Sequence, residues 1–116
     1  MATNIAVSPL APERFPDLPV VAGARFATVA AGVKYQGRTD VMLAMLDPGT
    51  TIAGVFTKSA PLSAPVLDCQ KKLGGPADSG AAIVVNAGNS NAFTGRYGIE
   101  AVEAITQAAA NASDVP

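Results

Sequence analysis

Thr94 and Gly95 stand side by side near the end of a loop that also holds Asn86, Gly88, Asn89, Asn91 and Gly98. A threonine hydroxyl next to a glycine N–H can aim two hydrogen-bond donors at one oxygen. That pair is a donor arrangement for an oxyanion hole, which stabilises negative charge developing on a carbonyl oxygen. Asn and Gly tolerate positive φ, so the loop can turn sharply and point several backbone N–H groups at one place. The loop follows an apolar run, Ile83 to Val85, that reads as a buried strand, and a helical pattern comes directly after it. A helix N-terminus is the positive end of a dipole, and open α/β sheets place their sites at the carboxyl ends of strands. From the residues alone two readings stay open. The loop is a cradle for negative charge, bound or transient, or it is a strand-to-helix connection whose Asn and Gly supply only turn geometry.

Other familiar chemistry is absent from the sequence. There is no Gly-x-x-x-x-Gly-Lys-Ser/Thr phosphate loop and no Cys-x-x-Cys, and without His there is no His-containing triad. The lack of His also removes the commonest general base and the commonest metal ligand. Glu100 and Glu103 are one helical turn apart on a polar face and read as solvated. Cys69 falls in a short predicted helix with no His to activate it, so it reads as a packed or semi-exposed structural thiol. Arg38 and Asp40 flank a turn and read as surface or capping residues.

The elements that must position the loop can be read from pattern. Residues 1–20 carry Pro9, Pro12, Pro16 and Pro19, a density that forbids helix and disfavours a central strand, and predicts an extended arm. Gly23 to Val33 suits a strand, and Tyr35 to Thr39 a turn. Asp40 to Leu46 is an apolar run that fits strand or helix by pattern, followed by the turn Asp47-Pro-Gly-Thr50, in which Pro fixes φ and Gly accepts positive φ. Thr51 to Thr57 then reads as a strand paired with 41–46 in a hairpin. Ser63 is a candidate N-cap for a helix over Val66 to Leu73, with Pro65 tolerated in its first turn and Gly74-Gly-Pro76 as the stop. Ala81 to Val85 is the next strand. From Gly98 to about Ala112, Ile99, Val102, Ile105 and Ala109 recur at helical spacing. The expected architecture is an α/β domain, a mixed β-sheet with packed helices in the order β-β-β-α-β-α, over residues 21–116.

Composition narrows the class further. The chain has 116 residues, 49% hydrophobic and only 15% charged, with aromatics at 5%. A chain this apolar is expected to cover part of its surface with a partner. Eight Lys and Arg against nine Asp and Glu give a net charge of −1, and no basic stripe is present, which argues against nucleic acid as a main partner. One Cys fits a reducing compartment. No signal pattern and no membrane-length apolar run is visible, so the reading is a cytoplasmic protein without a membrane partner. The sequence stops at Asp114-Val-Pro116, soon after a helix and without a closing element, which reads as a fragment of a longer protein.

Val84-Val-Asn-Ala-Gly-Asn-Ser-Asn-Ala-Phe-Thr-Gly95 closely resembles the signature loop of the bifunctional arginine-biosynthesis ornithine acetyltransferase (glutamate N-acetyltransferase) family. Val33 to Asp40 with its Gly-Arg-Thr-Asp turn, Ala53-Gly-Val-Phe-Thr57 and Ser63-Ala-Pro-Val66 support the resemblance, which runs in order from about residue 20 to 110. Ser59 and Ser90 are mild departures, standing where Asn and Ala are more usual. The resemblance implies a larger layered αββα-type self-processing acyltransferase fold, of which this chain is an N-terminal part of the first, or alpha, subunit. It implies a precursor that cleaves itself before a Thr, whose new N-terminal Thr is the nucleophile and whose α-amino group can act as base. That Thr takes acetyl from N2-acetylornithine and passes it to glutamate, while Thr94 and Gly95 form the oxyanion hole and Asn86, Gly88, Asn89 and Asn91 support the loop. No metal or coenzyme is implied; acetyl-CoA is an open co-substrate. The implied partner is the remainder of the precursor, including the Thr-bearing beta chain, in a heterotetramer of two alpha and two beta chains. The nucleophile is not in this chain, so the chain alone is expected to be inactive. Two other readings remain at this point: a self-processing aminopeptidase or amidohydrolase of similar architecture, and a non-catalytic anion-binding module.

Overall fold

Three strands and two helices build the chain in a computed structural model that describes residues 6–76 and 78–113. Strand β1 spans Ala24–Val29, β2 Val41–Leu46 and β3 Ala81–Asn86, while helix α1 spans Ala64–Lys72 and α2 Gly95–Ser113. Sheet order is β1-β2-β3, with both pairs antiparallel. The α/β class stands, but the described sheet is antiparallel rather than mixed. The argument from parallel α/β sheets therefore does not apply to the 86–98 loop, although that loop does leave the carboxyl end of a strand.

Residues 51–57 are the main correction. They form no strand, and the order is β-β-α-β-α. The turn at Asp47 does form: the Thr50 N–H and hydroxyl both donate to the Asp47 carbonyl, at 3.2 and 2.7 Å. It leads the chain away from the sheet rather than into a hairpin. The reason is topological. β2 pairs with β1 on one edge and β3 on the other, so its ladder has no place for a third partner. Val55 is accordingly exposed.

β3 is half-buried rather than buried. In an antiparallel pair, residues opposite each other project to the same face, so Phe26, Ala44 and Ile83 share one face, as do Thr28, Met42 and Val85. Ala44 is buried among them, but Phe26, Ile83 and Val85 are exposed, leaving an apolar sheet face open. The true core is small: Ala44, Ala64 and Val102 are the buried hydrophobic residues among those described.

The helices are close to the predicted spans. α1 starts two residues earlier than expected, with Pro65 in its first turn and Ser63 at the N-cap position. The Ser63 side chain makes no capping hydrogen bond. α2 begins a full turn earlier, at Gly95. Along it Val102 is buried, whereas Ile99 and Ile105 are exposed. α2 packs on α1 and on β3, so the loop from 87 to 94 bridges the sheet and the start of α2. Residues 6–20 form neither helix nor strand and are exposed; the rest of the predicted arm, and the ending at Asp114 to Pro116, lie outside the described residues. No helix among the described residues is long and apolar enough to cross a membrane.

Candidate functional site

The loop after β3 is held from both ends. At its root, the Ala87 N–H donates to the Asp40 carbonyl at 2.8 Å, continuing the ladder by one step. The Asp40 side chain, expected at the surface or as a cap, is buried at 4% exposure. It does act as a cap. Its two oxygens accept the Ala31 N–H at 2.6 Å and the Val33 N–H at 2.7 Å. This carboxylate therefore ties the 30–39 segment to the start of β2, beside the loop root. Arg38 stays exposed, with its guanidinium over the Tyr35 ring at 4.4 Å.

The 30–39 segment touches the loop at Gly88. Gly88 has φ +102, and a Cβ built there would lie 2.7 Å from the Lys34 Cβ and 3.4 Å from the Tyr35 ring. Glycine is required here on two counts: left-handed backbone and close approach of another segment.

Beyond Gly88 the asparagines hold the loop through their own amides. Asn86 donates from Nδ2 to the Asn89 carbonyl at 2.9 Å. Asn89 Oδ1 accepts the Asn91 N–H at 3.0 Å, and Asn89 Nδ2 donates to Asn91 Oδ1 at 3.1 Å. Asn91 is buried and left-handed, with φ +46. Its carbonyl accepts the Ala64 N–H at 3.2 Å, which fastens the loop to the first turn of α1. The side chains of Asn86, Asn89 and Asn91 thus bond within the loop and are not aimed outward.

Thr94 immediately precedes α2. Its hydroxyl donates to the Asn91 carbonyl at 3.0 Å. Thr94 and Gly95 are both exposed, and Gly95 has φ +55. The first N–H groups of a helix have no intrahelical acceptor, so the Gly95 N–H is a donor at the positive end of α2. The two residues singled out from sequence are therefore adjacent, exposed and at a helix N-terminus, with the Thr94 hydroxyl bonded to the Asn91 carbonyl.

Two features escaped the sequence reading. Phe93 is left-handed at φ +57 and 88% exposed. A bulky residue rarely adopts that conformation, and no residue type signals it in advance. Gly98, read as the start of the helix, is instead buried within its first turn. Its spacing from Thr94, four residues, places the two on one helix face and was the available signal.

The other candidates separate from this site. Glu100 is exposed and pairs with Arg96 at 3.2 Å, and Glu103 is exposed, so both are solvated. Cys69 is exposed, on the open side of the packed or semi-exposed reading. A groove between α1 and α2 is lined by Asp68, Lys71, Lys72, Glu100 and Glu103. Its charges are of both signs, and Lys72 is engaged by Asp68 at 2.9 Å and Thr106 at 3.1 Å. Among the described residues, no group of three or more His, Cys, Asp or Glu is placed to hold a metal ion.

Comparison with known proteins agrees with the loop motif. The chain is 66% identical over all 116 residues to an arginine biosynthesis bifunctional protein ArgJ from Ruegeria pomeroyi, covering 28% of that protein. It is 56% identical over 112 residues to the protein of the same name from Nitrobacter winogradskyi, 95% of this chain and 27% of that one. With the Gluconobacter oxydans protein of that name the identity is 53% over 116 residues, again the whole chain against 27%. The chain thus spans little more than a quarter of the length of these relatives. No solved structure matches it. The family model described as the ArgJ family matches residues 25–116, which include all of the sheet but Ala24, both helices and the 86–98 loop: the chain belongs to the ArgJ family.

Proposed function

We propose that the 86–98 loop supplies the oxyanion hole of an acetyltransferase that moves acetyl from N2-acetylornithine to glutamate in arginine biosynthesis. The observation that carries this reading is the placement of Thr94 and Gly95, both exposed residues, side by side at the N-terminus of α2. A threonine nucleophile on a separate chain, produced by self-cleavage of a precursor, attacks the acetyl carbonyl of acetylornithine. The carbonyl π electrons move onto oxygen, and Thr94 and Gly95 donate to that oxyanion. Collapse expels the ornithine amine, which takes the proton removed from the nucleophile, and leaves an acetyl-threonine ester. The α-amino group of glutamate then attacks the ester through a second oxyanion in the same hole; collapse breaks the bond to the threonine oxygen, which takes the proton lost by the amine, giving N-acetylglutamate and restoring the threonine hydroxyl. No metal or coenzyme enters these steps.

The chain holds the oxyanion loop and not the nucleophile, so on this reading it is inactive alone and works against the rest of the precursor. The exposed apolar face of Phe26, Ile83 and Val85 supports such a partner, since burial of apolar area drives association.

Thr94→Ala in the full-length protein tests the reading. Loss of one oxyanion donor is expected to lower kcat about 10²–10³-fold, measured as acetyl transfer from acetylornithine to glutamate. An unchanged kcat would remove Thr94 from the mechanism. Release of free acetate without N-acetylglutamate would replace the transferase with a hydrolase, and anion binding with no acetyl chemistry would replace both with a binding module.

A further inference from the structure

Gly98 sits in α2 four residues after Thr94 and is buried. Its backbone is helical, so conformational freedom does not explain a glycine there. Glycine weakens a helix interior relative to alanine, so the position gives up helix stability for another reason. That reason is space. A Cβ built on Gly98 would fall on the Thr94 hydroxyl oxygen, 3.1 Å from the Thr94 Cβ and 3.4 Å from the Ala64 Cβ.

We propose that Gly98 is a positioning residue whose missing side chain forms the seat of the Thr94 hydroxyl. The inference rests on the oxyanion role of Thr94 proposed above. The seat has three sides. The Gly98 backbone is its floor, the Ala64 Cβ at the start of α1 is one wall, and the Asn91 carbonyl is the other, held by the Ala64 N–H at 3.2 Å. Thr94 itself is exposed. A methyl group at 98 therefore displaces the hydroxyl by rotating the Thr94 side chain outward rather than by breaking the helix. Oxyanion donors work by being fixed in advance where charge will develop, so a rotated hydroxyl is a lost donor.

The test uses the full-length protein with Thr94→Ala, Gly98→Ala and the double variant. Rates are normalised to cleaved protein by intact mass, and Tm is recorded for each. The expected result is a fall in kcat for Gly98→Ala of about 10²-fold or more, close to that of Thr94→Ala, with KM for acetylornithine nearly unchanged. The double variant is expected to be no slower than Thr94→Ala, because both substitutions act through one hydroxyl. A normal kcat in Gly98→Ala beside a slow Thr94→Ala overturns the positioning role, as do losses that multiply in the double variant. A normal kcat in Thr94→Ala overturns the oxyanion reading itself and takes this inference with it. Where Gly98→Ala lowers Tm, recovery in the double variant supports the hydroxyl as the clashing group, and persistence of the full loss overturns it.

Discussion

Asp40→Asn isolates the clamp behind the loop. The carboxylate is 4% exposed and accepts two short backbone bonds, 2.6 Å from Ala31 and 2.7 Å from Val33. Hydrogen bonds to a charged group contribute roughly 1.5–3 kcal/mol each. Asparagine keeps one accepting oxygen and turns an NH2 toward the other N–H, so one bond is lost outright and two donors face each other. Ala31 and Val33 are themselves exposed, which lets the freed amide recover part of its hydration. The net local cost then lies near the lower end, about 2 kcal/mol. At about 1.4 kcal/mol per factor of ten, that is roughly a 30-fold rise in local opening. Native-state hydrogen exchange of the full-length protein, read by fragment mass spectrometry, measures it directly. Amides 31 and 33 should exchange about 30-fold faster, by that conversion. The Ala87 amide, bonded to the Asp40 backbone carbonyl, should be less affected, and β2 should be unchanged. Unaltered protection at 31 and 33, or loss spread evenly over β2, would refute the clamp.

Other substitutions test the loop's geometry. Gly88→Ala puts a Cβ 2.7 Å from the Lys34 Cβ at φ +102 and should destabilise by about 1–3 kcal/mol, seen as a lower denaturation midpoint; an unchanged midpoint would show that the 30–39 segment yields. Phe93→Asn replaces a bulky left-handed residue that is 88% exposed with one suited to that conformation. It should stabilise by about 0.5–1 kcal/mol, and a lower Tm would contradict this. Asn91→Ala removes the acceptor of the Asn89 amide and a residue suited to φ +46, costing about 1–2 kcal/mol in a chemical denaturation series. Lys72→Ala breaks the 2.9 Å pair with Asp68, in which the lysine side chain is 55% exposed. It should change stability by no more than about 0.5 kcal/mol, and a larger loss would make the α1–α2 groove structurally important.

What was legible in the sequence was local. The Asp47-Pro48-Gly49 turn, Pro65 in the first turn of α1 and the apolar spacing of α2 each carry their signal within a few residues, whereas the run at Val41 to Leu46 fits strand or helix by local pattern alone. Thr51 to Thr57 has the composition of a strand, but pairing depends on a free edge, and β1 and β3 occupy both edges of β2. That information lies dozens of residues away. Asp40 was legible as a cap but not as a buried one, because its partners, Ala31 and Val33, are identified by backbone path and not by residue type. Ile83, Val85, Ile99 and Ile105 look like core residues and are exposed. Their pattern records the need for a covered face, whereas exposure depends on whether the covering element lies in the same chain. At the site, the residue types around Thr94 were readable as a donor pair. The seat made by Gly98 needed the helix to start at Gly95, a turn before the apolar pattern begins.

The Thr94 hydroxyl has one proton, and in this structure it goes to the Asn91 carbonyl. Service to an oxyanion requires that bond to be exchanged. The exchange strands no group, because the Asn91 carbonyl keeps the Ala64 N–H. A neutral bond of about 1 kcal/mol is given up, and a bond to a charged oxygen, roughly twice as strong, is gained. Against a neutral substrate carbonyl the two bonds are comparable and the exchange returns nothing. The parked hydroxyl therefore discriminates between ground state and transition state, which is the condition for raising kcat rather than tightening substrate binding. On the proposed role of the loop, Thr94→Ala should then act on kcat and leave KM nearly unchanged. A variant that raised KM at constant kcat would mean that the hydroxyl binds substrate in its ground state, and that the bond to Asn91 is incidental to catalysis.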